Sequence, residues 1–130
     1  MPRPSREKYD ELEEKYKSIL DTPYGFETPL GWLPLLEQFL ERAINFEGWF
    51  KVVQIKEKFG GLRIYTETED DIPNEIRTMI DGLIAEAEFK AVRCCHDCGC
   101  EIDRDNARKY RFFVLCDVCI VPRNNDNKAQ

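Results

Sequence analysis

The chain has 130 residues, a formal net charge of −6 and 42% hydrophobic residues, which suits one folded domain with a small appended module. The acidic balance argues against general affinity for duplex DNA, because neutralising phosphates requires a surplus of Lys and Arg. No apolar run approaches the roughly 20 residues that span a bilayer, and none follows the N-terminus as in a signal peptide, so we expect a cytoplasmic protein with no membrane partner.

The first predicted element is a highly charged helix over residues 5–20. Its apolar side chains recur at helical spacing and form a narrow stripe, namely Tyr9, Leu12, Tyr16, Ile19 and Leu20. Ser5 is suited to cap the N-terminus of this helix, and Pro23 stops the helix from continuing.

A second helix is predicted from about Trp32 or Leu33 to Phe46. Pro34 suits its first turn, where no backbone donor is needed. One face of this helix is apolar and carries Leu36, Phe39, Leu40, Ala43 and Ile44. We interpret Trp32 and Trp49, which bracket the helix, as core anchors rather than ligand-stacking residues.

Residues 50–68 predict a β-hairpin with strands at about Phe50–Lys58 and Leu62–Thr68. The apolar residues of the two strands must share one face, and these are Val53, Ile55, Leu62 and Ile64. Odd positions on the first strand then pair with even positions on the second, so the loop between them has an even number of residues.

Two loops meet this condition. A two-residue Gly60-Gly61 turn places Lys58 opposite Arg63, and glycine tolerates the positive φ that such a turn needs. A four-residue loop over residues 58–61 instead places Lys56 opposite Arg63. The sequence leaves both registers open.

In either register the face opposite the core gathers polar side chains, which are Gln54, Lys56, Lys58, Arg63, Tyr65 and Glu67. Like charges opposite one another cost stability, and a surface tolerates this cost whether the charges are solvated or an anion binds there. We predict that a phosphate-bearing ligand or an acidic protein surface binds on Lys56, Lys58, Arg63 and Tyr65. The alternative is a solvated face neutralised by Glu57, Glu67 or the acidic helices. The glycine spacing and lysine placement differ from those of a Walker or dinucleotide-binding loop.

A third helix is predicted from Asp71 or Ile72 to about Val92, with Pro73 in its first turn. Its predicted buried stripe consists of Ile76, Met79, Ile80, Leu83, Ile84 and Ala87. Residues 1–92 thus predict an α+β domain in which helices pack on a β-hairpin or small antiparallel sheet.

The C-terminal module, residues 93–121, contains two C-x2-C pairs with 17 residues between them, which are Cys95 with Cys98 and Cys116 with Cys119. This spacing is typical of a zinc-ribbon-like site, because two intervening residues form a tight knuckle in which both sulfurs reach one metal ion. Four protein ligands close the coordination sphere, so we expect a structural Zn²⁺. Disulfides and a redox-active pair are less favoured alternatives in a reducing compartment.

Three neighbouring residues leave the ligand set open. Cys94 or Cys100 could replace a thiolate of the first pair in a shifted pairing. His96 lies inside the first knuckle, where we expect a surface residue or one that supports the ligands; an alternative ligand is the other interpretation. Residues 122–130 predict a disordered tail.

Three features together resemble a family of small proteins encoded largely by tailed phages and prophages. They are Gly31-Trp32 opening an apolar helix, the stretch Val53–Arg63 around KFGGLR, and the cysteine pairs, the second of which lies in Leu115–Cys119. The resemblance covers roughly residues 30–120, and the two additional cysteines depart from the family pattern. It implies a phage-type accessory protein that acts in the host cytoplasm, where such proteins bind host machinery or defence components.

The sequence therefore favours a non-enzymatic protein that binds a host protein or a small anionic ligand, such as a nucleotide, through the hairpin face. The alternative is a nucleic-acid-binding zinc ribbon whose phosphate contacts come from Arg104, Arg108, Lys109 and Arg111. An enzyme is the least favoured class, because the chain has one His and shows neither a nucleophile elbow nor an open metal site.

Overall fold

The computed structural model of the chain describes residues 5–103, 108–110 and 113–122, and for residues 108–110 the backbone alone. The fold is α+β, as the sequence predicts. Helices α1 to α3 span Arg6–Lys15, Leu33–Ala43 and Asn74–Ala91, and strands β1 to β5 span Phe26–Glu27, Phe50–Lys58, Gly61–Thr68, Arg108–Tyr110 and Phe113–Leu115. The predicted tail lies outside the described residues from position 123 onwards.

Three strands form the main sheet in the order β1-β2-β3. β2 and β3 are the predicted antiparallel hairpin, and the two-residue strand β1 adds to β2 in parallel, with Phe26 opposite Ile55. The outer edge of β3 is covered by α3, where the carboxylate of Glu88 accepts a hydrogen bond from the Ile64 N–H at 3.3 Å. β4 and β5 form a separate antiparallel pair in the C-terminal region.

Helix α1 is shorter than predicted. Its N-cap is Ser5, whose hydroxyl accepts a hydrogen bond from the Lys8 N–H as expected, but the helix ends at Lys15. The chain beyond it runs beside β2, where the Val52 N–H donates to the Ile19 carbonyl at 2.8 Å. Ile19 is fully buried by this pairing with the sheet rather than on a helical stripe.

The predicted core position Val53 is wrong, because β2 contains a bulge. The register shifts between Val52 and Gln54, so that Val52 rather than Val53 faces the core and is fully buried. A bulge inserts one extra residue and thereby reverses the alternation of side chains along the strand. Ile55 and its cross-strand neighbour Ile64 remain on the core side, as predicted.

The hairpin adopts the register that places Lys56 opposite Arg63. Lys58 pairs with Gly61, which leaves Phe59 and Gly60 as the two central residues of the turn. Their φ angles are 55° and 88°, as in the type I′ turns that match the twist of a hairpin. Gly60 is therefore the second central residue of the turn, and Gly61 already belongs to β3.

Helices α2 and α3 pack on each other and on the sheet. α2 begins at Leu33 and extends through a single 3₁₀ turn at Ile44–Phe46, as predicted to Phe46. Pro73 caps α3 instead of occupying its first turn, and Met79 is 57% exposed although the periodicity predicts it to be buried. Within the described residues, no helix combines the length and apolar character that crossing a bilayer requires.

A cluster of thiols and a cationic sheet face

Four thiols converge at one point of the C-terminal region. The sulfur atoms of Cys95, Cys98, Cys100 and Cys116 all lie within 4.8 Å of one another. Four thiolates bound at about 2.3 Å to a tetrahedral zinc ion have sulfurs roughly 3.8 Å apart. The thiols are thus close enough to hold a metal ion after a small contraction of the cluster.

The fifth cysteine, Cys119, lies beside this group. Its backbone N–H donates to the Cys116 sulfur at 3.5 Å, and its side chain packs with Cys95 in a small core. Burial and hydrogen bonding with neighbouring thiols raise the pKa of Cys119. Three of the four predicted ligands, Cys95, Cys98 and Cys116, therefore lie in this group. The fourth member of the group is Cys100, and the remaining predicted ligand, Cys119, packs beside it.

Backbone N–H groups support the sulfurs, as the knuckle geometry predicts. The Cys116 N–H donates to the Cys95 sulfur at 3.4 Å, and the Gly99 N–H donates to the Cys95 carbonyl at 3.0 Å. Gly99 has φ 83°, a left-handed conformation that glycine adopts without strain. Burial opposes ionisation of the Cys116 thiol, but hydrogen bonds from the backbone and side chain of Cys119 lower its pKa to about 6. This favours the thiolate form, which is the metal-binding form.

Cys94 faces away from the cluster and belongs to the main core. Its thiol donates to the Gly31 carbonyl at 3.3 Å, and burial raises its pKa to about 12. A buried neutral thiol in this position packs as a small hydrophobic residue. The shifted pairing in which Cys94 replaces a ligand is therefore not the arrangement that the fold presents.

His96 is buried, with 1% of its surface exposed, so the expected surface position is wrong. Its ring packs edge-on against Trp32 at a centroid distance of 5.0 Å and against Phe113 at 5.8 Å. Its Nδ1 accepts a hydrogen bond from the Val114 N–H at 3.3 Å. The imidazole thus joins the knuckle to the helical domain and holds β5 in place.

Gly31 is the point where the knuckle docks, a role that the sequence reasoning missed. The Gly31 N–H donates to the His96 carbonyl at 2.8 Å, and a Cβ at this position would lie 2.0 Å from the Cys95 carbonyl oxygen. Only glycine permits so close an approach of two backbones. The Gly31-Trp32 dipeptide offered a signal, since a glycine beside a buried aromatic residue is typical of close packing.

The second candidate surface is the outer face of the hairpin. Lys56 and Arg63 are directly opposite each other, and Gln54 is opposite Tyr65 on the next rung of the ladder. The Arg63 guanidinium lies over Gly61, since a Cβ there would be 3.1 Å from Nη1. This brings Arg63 towards Lys58 at the end of the hairpin. The structure therefore gathers all four predicted binding residues on one face.

The predicted neutralising carboxylates are placed differently. Glu57 shares the core-side face with Leu62, and its carboxylate accepts a hydrogen bond from the Gly60 N–H at 2.9 Å. Glu67 is opposite Lys51, further from the turn. β1 adds Glu27 beside Lys56, but the carboxylate of Glu27 accepts from the Gln54 amide at 3.1 Å.

The side chains of the basic residues in the nucleic-acid alternative lie outside the described part of the chain. Arg104 and Arg111 lie outside the described residues, and Arg108 and Lys109 are described as backbone of β4 only. That alternative stays a prediction of the sequence.

Comparison with known proteins finds no matching family model, no matching curated protein and no matching solved structure. The resemblance to phage and prophage proteins therefore remains an expectation. The geometry of the thiol cluster and of the outer hairpin face is the basis for the function proposed below.

Proposed function

We propose that this chain is a non-enzymatic binding protein that engages a negatively charged partner through the outer face of its hairpin. The observation that carries the proposal is the state of Lys56, Lys58 and Arg63. All three lie on one face of the hairpin, and within the part of the chain that the structure describes none of their side-chain nitrogens lies within 4.0 Å of a carboxylate oxygen.

The fold brings these charges together instead of separating them. Lys56 and Arg63 are directly opposite each other in the ladder, where like charges destabilise a sheet by about 0.2–1 kcal/mol. A bound anion offsets this repulsion, and this makes the free energy of binding an acidic partner more favourable. The partner implied by the resemblance is a host protein; a small phosphate-bearing ligand fits the same charges.

We propose in addition that the metal held by the cysteine cluster is zinc and that its role is structural. Thiolate sets of this kind select Zn²⁺ or iron–sulfur clusters, and a set of four leaves no open position for a substrate. The cluster lies next to the docking contact at Gly31, so metal binding fixes the C-terminal region against the domain that carries the hairpin.

Retention on an immobilised polyanion tests the binding proposal. The wild-type protein should be retained on heparin at low salt, and the K56A/K58A/R63A variant should elute at clearly lower salt, because fewer cations means fewer released counterions. The matched control is K15A/K17A/R77A, which makes the same change of charge at exposed positions at the end of α1, just beyond it and on α3. Equal loss of retention in both variants would show a general charge effect and contradict the proposal.

Elemental analysis tests the metal proposal independently. Freshly purified protein should contain about one zinc ion per chain, as expected of a single four-thiolate site. Iron with a visible chromophore, or protein that folds with no bound metal, would count against it.

A further inference from the structure

The outer face of the hairpin carries exposed aromatic rings as well as cations. Tyr65 is 42% exposed on the rung next to Arg63, and Phe59 is 74% exposed in the turn. Each ring has a lysine beside it: Lys56 Nζ lies 5.8 Å from the centre of the Tyr65 ring, and Lys58 Nζ lies 6.0 Å from that of Phe59. The face therefore presents cation and ring together, twice along the hairpin.

The residue that carries one of these rings, Phe59, adopts a backbone conformation that is unfavourable for a bulky side chain. Phe59 has φ 55°, in the left-handed region that bulky residues avoid, and this position of a type I′ turn normally holds Asn, Asp or Gly. Burial of the Phe59 side chain contributes little to the stability of the fold, since most of its surface stays in solvent. Backbone strain of this sort is found where the side chain has a task outside the fold.

The combination of rings and cations narrows the class of partner. Cations alone attract any polyanion, and exposed rings beside them add affinity for a ligand that also offers flat π faces. Successive rungs on one face of a strand are about 6.6 Å apart, so rings and cations alternate over short distances along the hairpin. Single-stranded nucleic acid alternates phosphates and unstacked bases in the same way, whereas an acidic peptide offers charge without regular flat groups.

We infer that the outer face of the hairpin binds single-stranded nucleic acid, with Lys56, Lys58 and Arg63 on phosphates and Tyr65 and Phe59 stacking on bases. This inference rests on the proposed function, because it names the partner for the same face. Duplex DNA is not the main ligand of this face, because its bases are already stacked on one another and offer no free face to the rings.

Fluorescence anisotropy with a labelled oligothymidylate tests the inference. The comparison ligands are an abasic oligomer of the same length, which keeps the phosphates and lacks the bases, and polyglutamate. The oligothymidylate should bind roughly tenfold more tightly than the abasic oligomer, because stacking on rings contributes at this scale. Equal affinity for the oligothymidylate, the abasic oligomer and polyglutamate overturns the inference and leaves the proposed function standing. No binding to any of the three overturns both.

Two ring substitutions sharpen the test, and one of them relieves backbone strain in the turn. Y65L and F59N should each weaken oligothymidylate binding roughly tenfold and leave abasic-oligomer binding unchanged. F59N also supplies the residue that the turn prefers, so its thermal unfolding midpoint should rise while its affinity falls. The control is F89L, which removes the exposed ring of the Phe89–Arg93 pair on α3. If F59N and Y65L bind oligothymidylate as tightly as the wild type, the rings do not stack on bases and the inference is wrong.

Discussion

The thiol cluster and the cationic face of the hairpin differ in the partners that their polar groups have within the protein. In the cluster, the sulfurs lie within 4.8 Å of one another and backbone N–H groups donate to them. A bound metal ion would compensate the remaining charge of the thiolates. On the hairpin, Lys56 and Arg63 stand side by side and face solvent. The difference agrees with the proposed roles, in which the cluster contributes stability and the face contributes binding.

The largest expected effect comes from removing the metal site, which should disorder the C-terminal region and leave the hairpin folded. C95S/C116S leaves three of the five neighbouring thiols, so it should lose bound zinc and with it the order of the C-terminal region, since structural zinc sites contribute on the order of 10 kcal/mol. Metal analysis and hydrogen exchange should report the loss beyond residue 94, while the amides of β2 and β3 stay protected.

The control for this prediction is C94S, which changes a thiol that donates to Gly31 instead of facing the cluster. It should keep about one zinc ion, because serine can make the same hydrogen bond. Full zinc content in C95S/C116S would contradict the assignment of the cluster as the metal centre.

The second prediction concerns the docking of the cluster on the helical domain. G31A should lower the free energy of unfolding by about 2 kcal/mol or more, because its methyl group would meet the backbone of Cys95 and His96. G82A is the matched control, since a methyl there meets nothing within 4 Å and replaces a glycine inside α3. It should raise the stability by about 0.5–1 kcal/mol. Urea denaturation of both variants measures the contrast, and similar effects in the two would refute the docking role.

The third prediction separates the fifth thiol from the other four. Because Cys100 and Cys119 both lie beside the shared thiols of Cys95, Cys98 and Cys116, we expect either to complete a four-thiolate site. C100S and C119S should each retain about one zinc ion, and the double variant should lose it.

Competition with a chromophoric chelator would rank the affinities of these variants. Loss of zinc in C119S alone would identify Cys119 as the dedicated ligand predicted from its C-x2-C spacing. The same loss in C100S alone would assign the fourth position to Cys100.

The smallest effect belongs to the hairpin face. K56Q should raise the free energy of unfolding by a few tenths of a kcal/mol, because it removes the repulsion between Lys56 and Arg63. The gain should shrink as salt is added, since these charges are exposed to solvent. Thermal unfolding at two salt concentrations measures it; a loss of stability on substitution would mean that the contacts of Lys56 with Glu27 or the Tyr65 ring outweigh the repulsion from Arg63.

Local pattern predicted much of the fold. The apolar periodicity of residues 33–46 gave α2, and the alternation around Ile55 and Ile64 gave the hairpin and the need for an even loop. The two C-x2-C pairs indicated a thiol cluster, because their spacing forces sulfurs together within each knuckle. These features depend on contacts between residues close in the chain, which is why the sequence alone was sufficient.

Only the tertiary structure decided the remainder. The extra residue at Val53 and the turn over Phe59 and Gly60 selected the hairpin register, and pairing of Ile19 with β2 ended α1 early. The contact between Gly31 and the knuckle joins residues more than 60 positions apart. Such choices depend on which distant backbones approach each other, and neither periodicity nor residue spacing encodes that approach.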